Sequence, residues 1–285
     1  MHRILVTGCR GQLGSELQDI AGDYETLDFL FTDYTELDIT DRKAVRTYIE
    51  EREVDCVVNC AAYTAVDQAE NDIGKCDLLN HVAPGYLAEA IASRGGSMIQ
   101  ISTDYVFDGK GHKPYREDMP TAPCSTYGRT KLAGEEKVIC NCPGAMIIRT
   151  AWLYSSYGKN FVKTMLRLAR ERDEIGVVAD QIGTPTYAHD LARAICTILE
   201  QGIVPGIYHF TNEGACSWYD FTKTIFRLKG IDEDDCRVRP LRTDEFPSAA
   251  QRPHYSVLDK SKLKRTYGLD IRWWEDALKS CLKKL

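Results

Sequence analysis

Tyr127 and Lys131 stand four residues apart in the stretch STYGRTKLAGE, which reads as the first turns of a helix. Four residues is about one helical turn, so both side chains leave the same face. An ammonium beside a phenol favours the phenolate and lowers the tyrosine pKa from its ordinary ~10. Such a pair suits proton transfer near neutral pH. The same spacing is common on solvated helix faces, so alone it decides nothing.

A second cluster concerns a cofactor. GCRGQLG places glycines at Gly8, Gly11 and Gly14, after a strand-like run and before a helical one. Glycines so spaced let the backbone turn tightly and approach a pyrophosphate, and the helix start offers free N–H groups and a positive dipole end. The plain alternative is a tight turn that packs helix on strand. Asp33 ends the second strand about 20 residues beyond Gly14, where an acid accepts hydrogen bonds from the adenosine ribose and repels a 2′-phosphate. Tyr34 follows it, rather than an arginine able to hold that phosphate. The expected cofactor is NADH or NADPH, leaning to NADH; otherwise Asp33 simply begins the turn TDYTE. Gln12 and Leu13 in the loop, with Asp38 and Ile39 after the second strand, complete the cofactor candidates on this side.

These residues need elements to hold them. RILVTG reads as a buried strand of the continuous apolar kind, and SELQDIA as a helix. TLDFLFTD is a second strand, and DITDRKAVRTYIEERE an amphipathic helix with Thr40 or Asp41 as N-cap. VDCVVNCAA is a third strand, and LLNHVAPGYLAEAIASRGG a helix ending at Gly95 and Gly96. SMIQISTDYVF is a fourth strand, and AMIIRTAWLY a fifth beyond the helix of Tyr127. Repeated β-α-β units predict an α/β fold, a Rossmann-type doubly wound parallel sheet with helices on both faces. Ligands bind such sheets at the carboxyl edge. Ala61, Ala62 and Tyr63, which follow the third strand, are therefore expected to line the cofactor.

Beyond residue 150 the alternation loosens. NFVKTMLRLARER and TYAHDLARAICTILEQG are helical, the second stopping at Gly202. GIYHFTNEG is a short strand, SWYDFTKTIFRLKG starts on Ser217 as N-cap, and WWEDALKSCLKKL is the last helix. RPLRTDEFPSAAQRPHYS reads as an irregular loop over a site. Within it Arg252 is the candidate for a substrate diphosphate, because a guanidinium fork suits phosphate oxygens; a plain surface salt bridge is its rival role. The expected layout is a nucleotide-binding core over 1–150. A smaller, mainly substrate-binding lobe over 151–285 is partly interleaved with it.

Composition narrows the class. Of 285 residues, 44% are hydrophobic and 27% charged, an ordinary soluble balance. The 36 Lys and Arg against 42 Asp and Glu leave a net charge of −6, which speaks against nucleic-acid and anionic-membrane partners. No apolar run approaches the ~18–20 residues of a spanning helix. Met1 is followed at once by a core strand rather than a signal peptide, so a cytoplasmic location is expected. The eleven cysteines are scattered, and the pair Cys140 and Cys142 has no matching second pair. They read as reduced thiols packed as small hydrophobes, and no metal ligands are assigned.

Taken together, the glycine spacing, a Ser/Thr closing the fourth strand and Tyr-x-x-x-Lys in the next helix resemble the extended short-chain dehydrogenase/reductase family. The blocks STDYVFDG, YGRTKLAGE, IRTAWLY, GTPTYAHDLA and RPHYSVLD sharpen this to the dTDP-4-dehydrorhamnose reductase family, over residues 4 to about 259. The resemblance implies NAD(P)H-dependent reduction of the 4-keto group of a dTDP-bound 4-keto-6-deoxyhexose, giving dTDP-L-rhamnose. It implies that Thr103 hydrogen-bonds the reacting oxygen and Tyr127 donates the proton. Lys131 would hold the nicotinamide ribose and keep Tyr127 acidic, while Asp104 and Trp152 would contact the sugar nucleotide. Each has a blander role: strand residue for Thr103, turn or cap for Asp104, core aromatic for Trp152. Dehydratases of the superfamily carry a glutamate after the Thr-Asp pair; here Tyr105 stands there. Another nucleotide-sugar reductase or an epimerase stays open as a reading. So does a non-catalytic dinucleotide-binding subunit resembling the regulatory beta subunit of methionine adenosyltransferase. A homodimer and a bound Mg²⁺ are likewise left open.

Overall fold

A computed structural model describes residues 2–285. Five strands of the first half, β1 (His2–Thr7), β2 (Leu27–Thr32), β3 (Cys56–Asn59), β4 (Ser97–Thr103) and β5 (Met146–Thr150), form one sheet with Gly206–His209. Its order is Gly206–His209, β5, β4, β3, β1, β2, parallel throughout. The winding direction reverses between β1 and β3, which opens a crevice at their carboxyl ends.

The strands are apolar on both faces because both faces are covered. Ile4 and Val6 of β1, Val58 of β3 and Ile148 of β5 point into one core, against α1 (Gln12–Ile20) and the helix Ala188–Gln201. Leu5, Val57 and Ile147 point into the other. There they meet α2 (Arg42–Glu51), α5 (Ala83–Ser93) and α6 (Thr126–Asn141), which lie side by side. Asp41, not Thr40, caps α2: its Oδ1 accepts from the Lys43 and Ala44 N–H groups at 2.9 and 3.0 Å.

Three sequence expectations need amending, and one helix is new. The single helix expected before Gly95 is interrupted: Ile73–Asp77 (α4, after the short α3, Val66–Ala69) and α5 are joined by a π-type turn, Leu78–Val82. The short strand Gly206–His209 belongs to the central sheet, because Tyr208 is buried in its core and β5 supplies a free edge. Arg237–Leu241 is a strand paired with Glu174–Val178 rather than the start of a loop. Ser261–Tyr267 is a helix that carries no prediction. A third core, with Tyr154, Phe221, Trp274 and Leu278, lies within 154–282. No helix among the described residues is long and apolar enough to cross a membrane.

Candidate active site

Thr103 is the last residue of β4 and pairs in register with Thr150 of β5. Its hydroxyl donates to Asp104 Oδ1 at 3.0 Å and accepts the Tyr105 N–H at 3.2 Å, which tightens the turn leaving the strand. The chain returns through Ser125, whose Oγ accepts the Gly128 N–H at 3.1 Å and caps α6. Glu70 adds a carboxylate at the same helix start, accepting the Thr126 N–H at 2.7 Å and its hydroxyl at 2.8 Å. A Cβ at Gly128 would collide with the Tyr105 carbonyl oxygen, so glycine lets α6 press against that turn. Tyr127 thereby meets Tyr105 edge to face, ring centres 5.5 Å apart. The Tyr127 ring thus lies against the turn that Thr103 begins.

Lys131 departs from expectation. Its side chain is buried, and Nζ donates to the Ile101 carbonyl at 2.6 Å. Burial lowers its pKa to about 8, opposed by Glu135. The Tyr127 pKa is raised, not lowered: burial dominates, the Thr103 hydrogen bond opposes it, and Asp104 and Tyr105 add to it. The shared helix face is as read, but the ammonium is committed to β4. From Ile101 a buried row runs across the sheet. Gln100 Nε2 donates to the same carbonyl at 2.9 Å, and Asn59 Nδ2 donates to Gln100 at 2.8 Å. Thr7 Oγ1 and the Ala61 N–H both donate to Asn59 Oδ1, at 2.6 and 3.2 Å. Lys131 and the glycine loop are thus tied to one hydrogen-bonded row.

The loop fits a dinucleotide. Gly8 has φ +66°, and a Cβ there would lie 2.7 Å from the Ala61 nitrogen; one at Gly14 would lie 2.5 Å from the Gly8 oxygen. Gly11 leads into α1 with no side-chain cap, so the helix start keeps free N–H groups for an anion. Asn80, in the π-type turn, holds the Tyr63 backbone from both sides at 2.9 and 3.1 Å. Gly134 of α6 makes room for it, since a Cβ there would strike the Asn80 carbonyl. Gln12 bonds Asn160 and Leu153, and Leu13 is buried. The Asp38 carboxylate accepts the Thr40 N–H and hydroxyl, and the Ile39 side chain packs in the core. Side chains at these two positions are thus occupied within the fold. Asp33 accepts the Arg10 N–H at 2.9 Å and the Tyr34 N–H at 2.8 Å.

On the substrate side Asp104 is buried, and its Oδ2 has no partner. Burial raises its pKa to about 6, against the pull of the Ser256 and Thr103 hydroxyls. Trp152 has φ +49°, a strained value for a bulky residue and frequent at functional sites. It stacks on Trp218 with centres 3.5 Å apart, and Gly183 has no Cβ to obstruct the indole. Arg252 pairs with Asp67 at 2.7 Å while its buried Nε has no partner. Arg10, Asp67, Glu70, Asn80 and Trp218 were not candidates from the sequence. Asp67 and Glu70 lie in the flagged run AAYTAVDQAE, and Arg10 inside the glycine loop; Asn80 and Trp218 carry no local signal. A cavity of about 330 Å³ near His2, Asp55, Arg94 and Ser97 opens at the opposite edge of the sheet and shares no candidate residue.

The chain resembles known proteins over nearly its whole length. The family model for the RmlD substrate binding domain matches residues 1–285. A dTDP-4-dehydrorhamnose reductase of Aggregatibacter actinomycetemcomitans is 41% identical over 98% of each chain. A probable dTDP-4,6-dihydroxy-2-methyloxan-3-one 4-ketoreductase of Streptomyces antibioticus is 45% identical, over 97% of this chain and 93% of the relative. The crystal structure of dTDP-4-dehydrorhamnose reductase from Bacillus anthracis in complex with NADP is 40% identical with a TM-score of 0.95, covering 100% of this chain and 99% of that one.

Proposed function

The chain belongs to the dTDP-4-dehydrorhamnose reductase family, and we propose that it reduces the 4-keto group of dTDP-6-deoxy-L-lyxo-4-hexulose with NADH or NADPH, giving dTDP-L-rhamnose. One observation carries the reading: Thr103, Asp104 and Tyr127 converge at the carboxyl edge of the sheet, joined through Lys131 and the Ile101–Thr7 row to a glycine loop fitted for a dinucleotide.

When bound, the nicotinamide supplies hydride to carbon 4 of the sugar. Charge then develops on the former carbonyl oxygen, and Tyr127 protonates it. Burial serves this direction of reaction, because it keeps the phenol protonated at neutral pH, and an alkoxide is basic enough to take the proton. Thr103, fixed by its bond to Asp104, offers its hydroxyl beside the phenol and the reacting oxygen. Asp104 Oδ2, bare and buried, accepts from a sugar hydroxyl beside the reacting carbonyl. Trp152 gives the pyranose an apolar wall. Arg252 exchanges Asp67 for the substrate diphosphate. The segment beyond residue 150 supplies these last two groups and serves as the substrate side. Eleven unpaired thiols suit the reducing cytoplasm.

The test follows the absorbance of reduced nicotinamide with purified protein, NADH or NADPH, and the 4-keto sugar nucleotide made in situ. Loss of absorbance matched by dTDP-L-rhamnose formation supports the reading; no loss with either cofactor refutes it. A second reading, another dTDP-linked 4-keto sugar, has the 45% identity to the Streptomyces antibioticus relative in its favour. Turnover of that sugar alone would select it.

A further inference from the structure

Trp152 lies in a slot whose two walls come from one ribbon. Ile182–Gly183 pairs antiparallel with Cys216–Ser217, with Gly183 opposite Cys216. Ser217 then caps the helix Trp218–Lys229: its Oγ accepts the Asp220 N–H at 3.0 Å, and Asp220 Oδ2 accepts the Ser217 N–H at 2.9 Å. Pairing and cap together fix Trp218, the first helical residue, close to Gly183. Trp218 lies flat on the Trp152 indole, centres 3.5 Å apart and planes 11° from parallel, so it covers one face almost completely. A Cβ at Gly183 would lie 2.6 to 2.8 Å from Cε2, Cζ2 and Nε1 of the same indole. Near-equal distances to three adjacent ring atoms place Gly183 over the ring rather than at its rim. Trp218 leaves it only the opposite face. Phe161, its centre 4.5 Å from that of Trp218, and Phe221 back the stack from the third core. The Trp152 backbone is fixed as well: its carbonyl accepts the Thr186 N–H at 3.2 Å.

Two unfavourable features meet at Trp152. Its φ of +49° is strained, and free aromatic pairs prefer an offset or edge-to-face arrangement to a near-eclipsed stack. The surroundings impose both, as they do at functional sites. Resting on the substrate reading above, we infer that Trp218 is a positioning residue: with Gly183 it clamps Trp152 so that the rim of the indole, not its face, meets the sugar. The rim carries the positive part of the ring's quadrupole, so it suits the oxygens of a hydroxylated ring, where a face would suit its C–H groups. The same ribbon also carries the diphosphate side. Ile182 N–H donates to the His254 carbonyl at 2.7 Å, and its own carbonyl accepts the Ser256 N–H at 2.8 Å, just beyond Arg252. One ribbon thus sets the spacing between the wall for the sugar and the group for the diphosphate.

The experiment measures dissociation constants of dTDP-L-rhamnose and of dTDP alone, with the ultraviolet circular dichroism, for the unaltered protein, Trp218→Leu, Trp218→Phe and Gly183→Ala. Two indoles stacked this closely couple their transitions into a paired band, and the four tryptophans form no other stacked pair among the described residues. Trp218→Leu should abolish that band and weaken dTDP-L-rhamnose by ~3–10-fold, leaving dTDP within ~2-fold. Trp218→Phe keeps a flat wall and should restore dTDP-L-rhamnose to within ~2-fold. Gly183→Ala pushes a Cβ into the indole from the other side and should also weaken dTDP-L-rhamnose by ~3–10-fold with dTDP unchanged. Retained dTDP binding certifies that each variant is folded. Equal weakening of both ligands, or of neither, makes the pair mere packing and overturns the inference. A paired band that survives in Trp218→Leu overturns it too. If the unaltered protein binds dTDP-L-rhamnose no more tightly than dTDP, the sugar-contacting role of Trp152 falls, and the inference with it. If it binds neither, the substrate reading itself is refuted.

Discussion

The two ends of the cofactor track keep their charges in opposite ways. At the reacting end Lys131 is 4% and Asp104 2% exposed, and a carboxylate oxygen is left without a partner. At the adenosine end Arg10 and Glu36 stand in solvent and satisfy one another. Burial makes electrostatics strong and costly, so proton chemistry gains pre-organised groups of shifted pKa at the expense of stability. Exposure makes them cheap and adjustable, because water and salt screen the pair.

If that contrast is right, the largest effects belong to the buried end. Tyr127→Phe should lower kcat by ~10²–10⁴-fold, the usual range for a lost general acid, with NADH binding intact. Near-normal turnover would remove Tyr127 from the chemistry. Gly128→Ala drives a Cβ into the Tyr105 carbonyl and should destabilise the fold by ~3 kcal/mol, seen as a lower denaturation midpoint. An unchanged midpoint would mean that α6 can shift away freely.

Asp104→Asn should act through pH. The folded protein holds this carboxyl at about 6 against an ordinary 3.8, so the folded state binds more protons between those values. Stability conferred on the parent therefore falls as pH rises through ~4 to ~6, and the cost is complete above it. The variant should gain ~3 kcal/mol relative to the parent at pH 8 compared with pH 3.5. A stability difference independent of pH would contradict the shift. Arg252→Ala, at a half-buried position between the two extremes, should weaken dTDP binding by ~10-fold, as for one charge-assisted contact. Unaltered affinity would leave Arg252 as Asp67's partner only.

Much of the frame was legible because it rests on short-range rules. Continuous apolar runs between helical patterns specify a parallel sheet covered on both faces, and β1 to β5 follow them. Ser125, Asp41 and Ser217 cap helices through contacts two or three residues away. Gly202 ends its helix, as read. The interrupted helix at Leu78–Val82 was not legible: Asn80 within it bonds the Tyr63 backbone, 17 positions away. The place of Gly206–His209 in the sheet was hidden likewise: four residues carry too little pattern to name their neighbour.

By itself, the sequence determined which chemical groups are available and where along the chain they stand: the glycine loop, Thr103, Tyr127, Lys131, Asp33. Only the tertiary structure decided their electrostatic state. Lys131 faces a strand carbonyl instead of relieving Tyr127, Arg252 rests on Asp67, and Arg10 meets Glu36 beside Asp33. The reason is physical. Residue identity and spacing dictate local backbone form, whereas a side chain's pKa and partner depend on burial and on groups from distant segments.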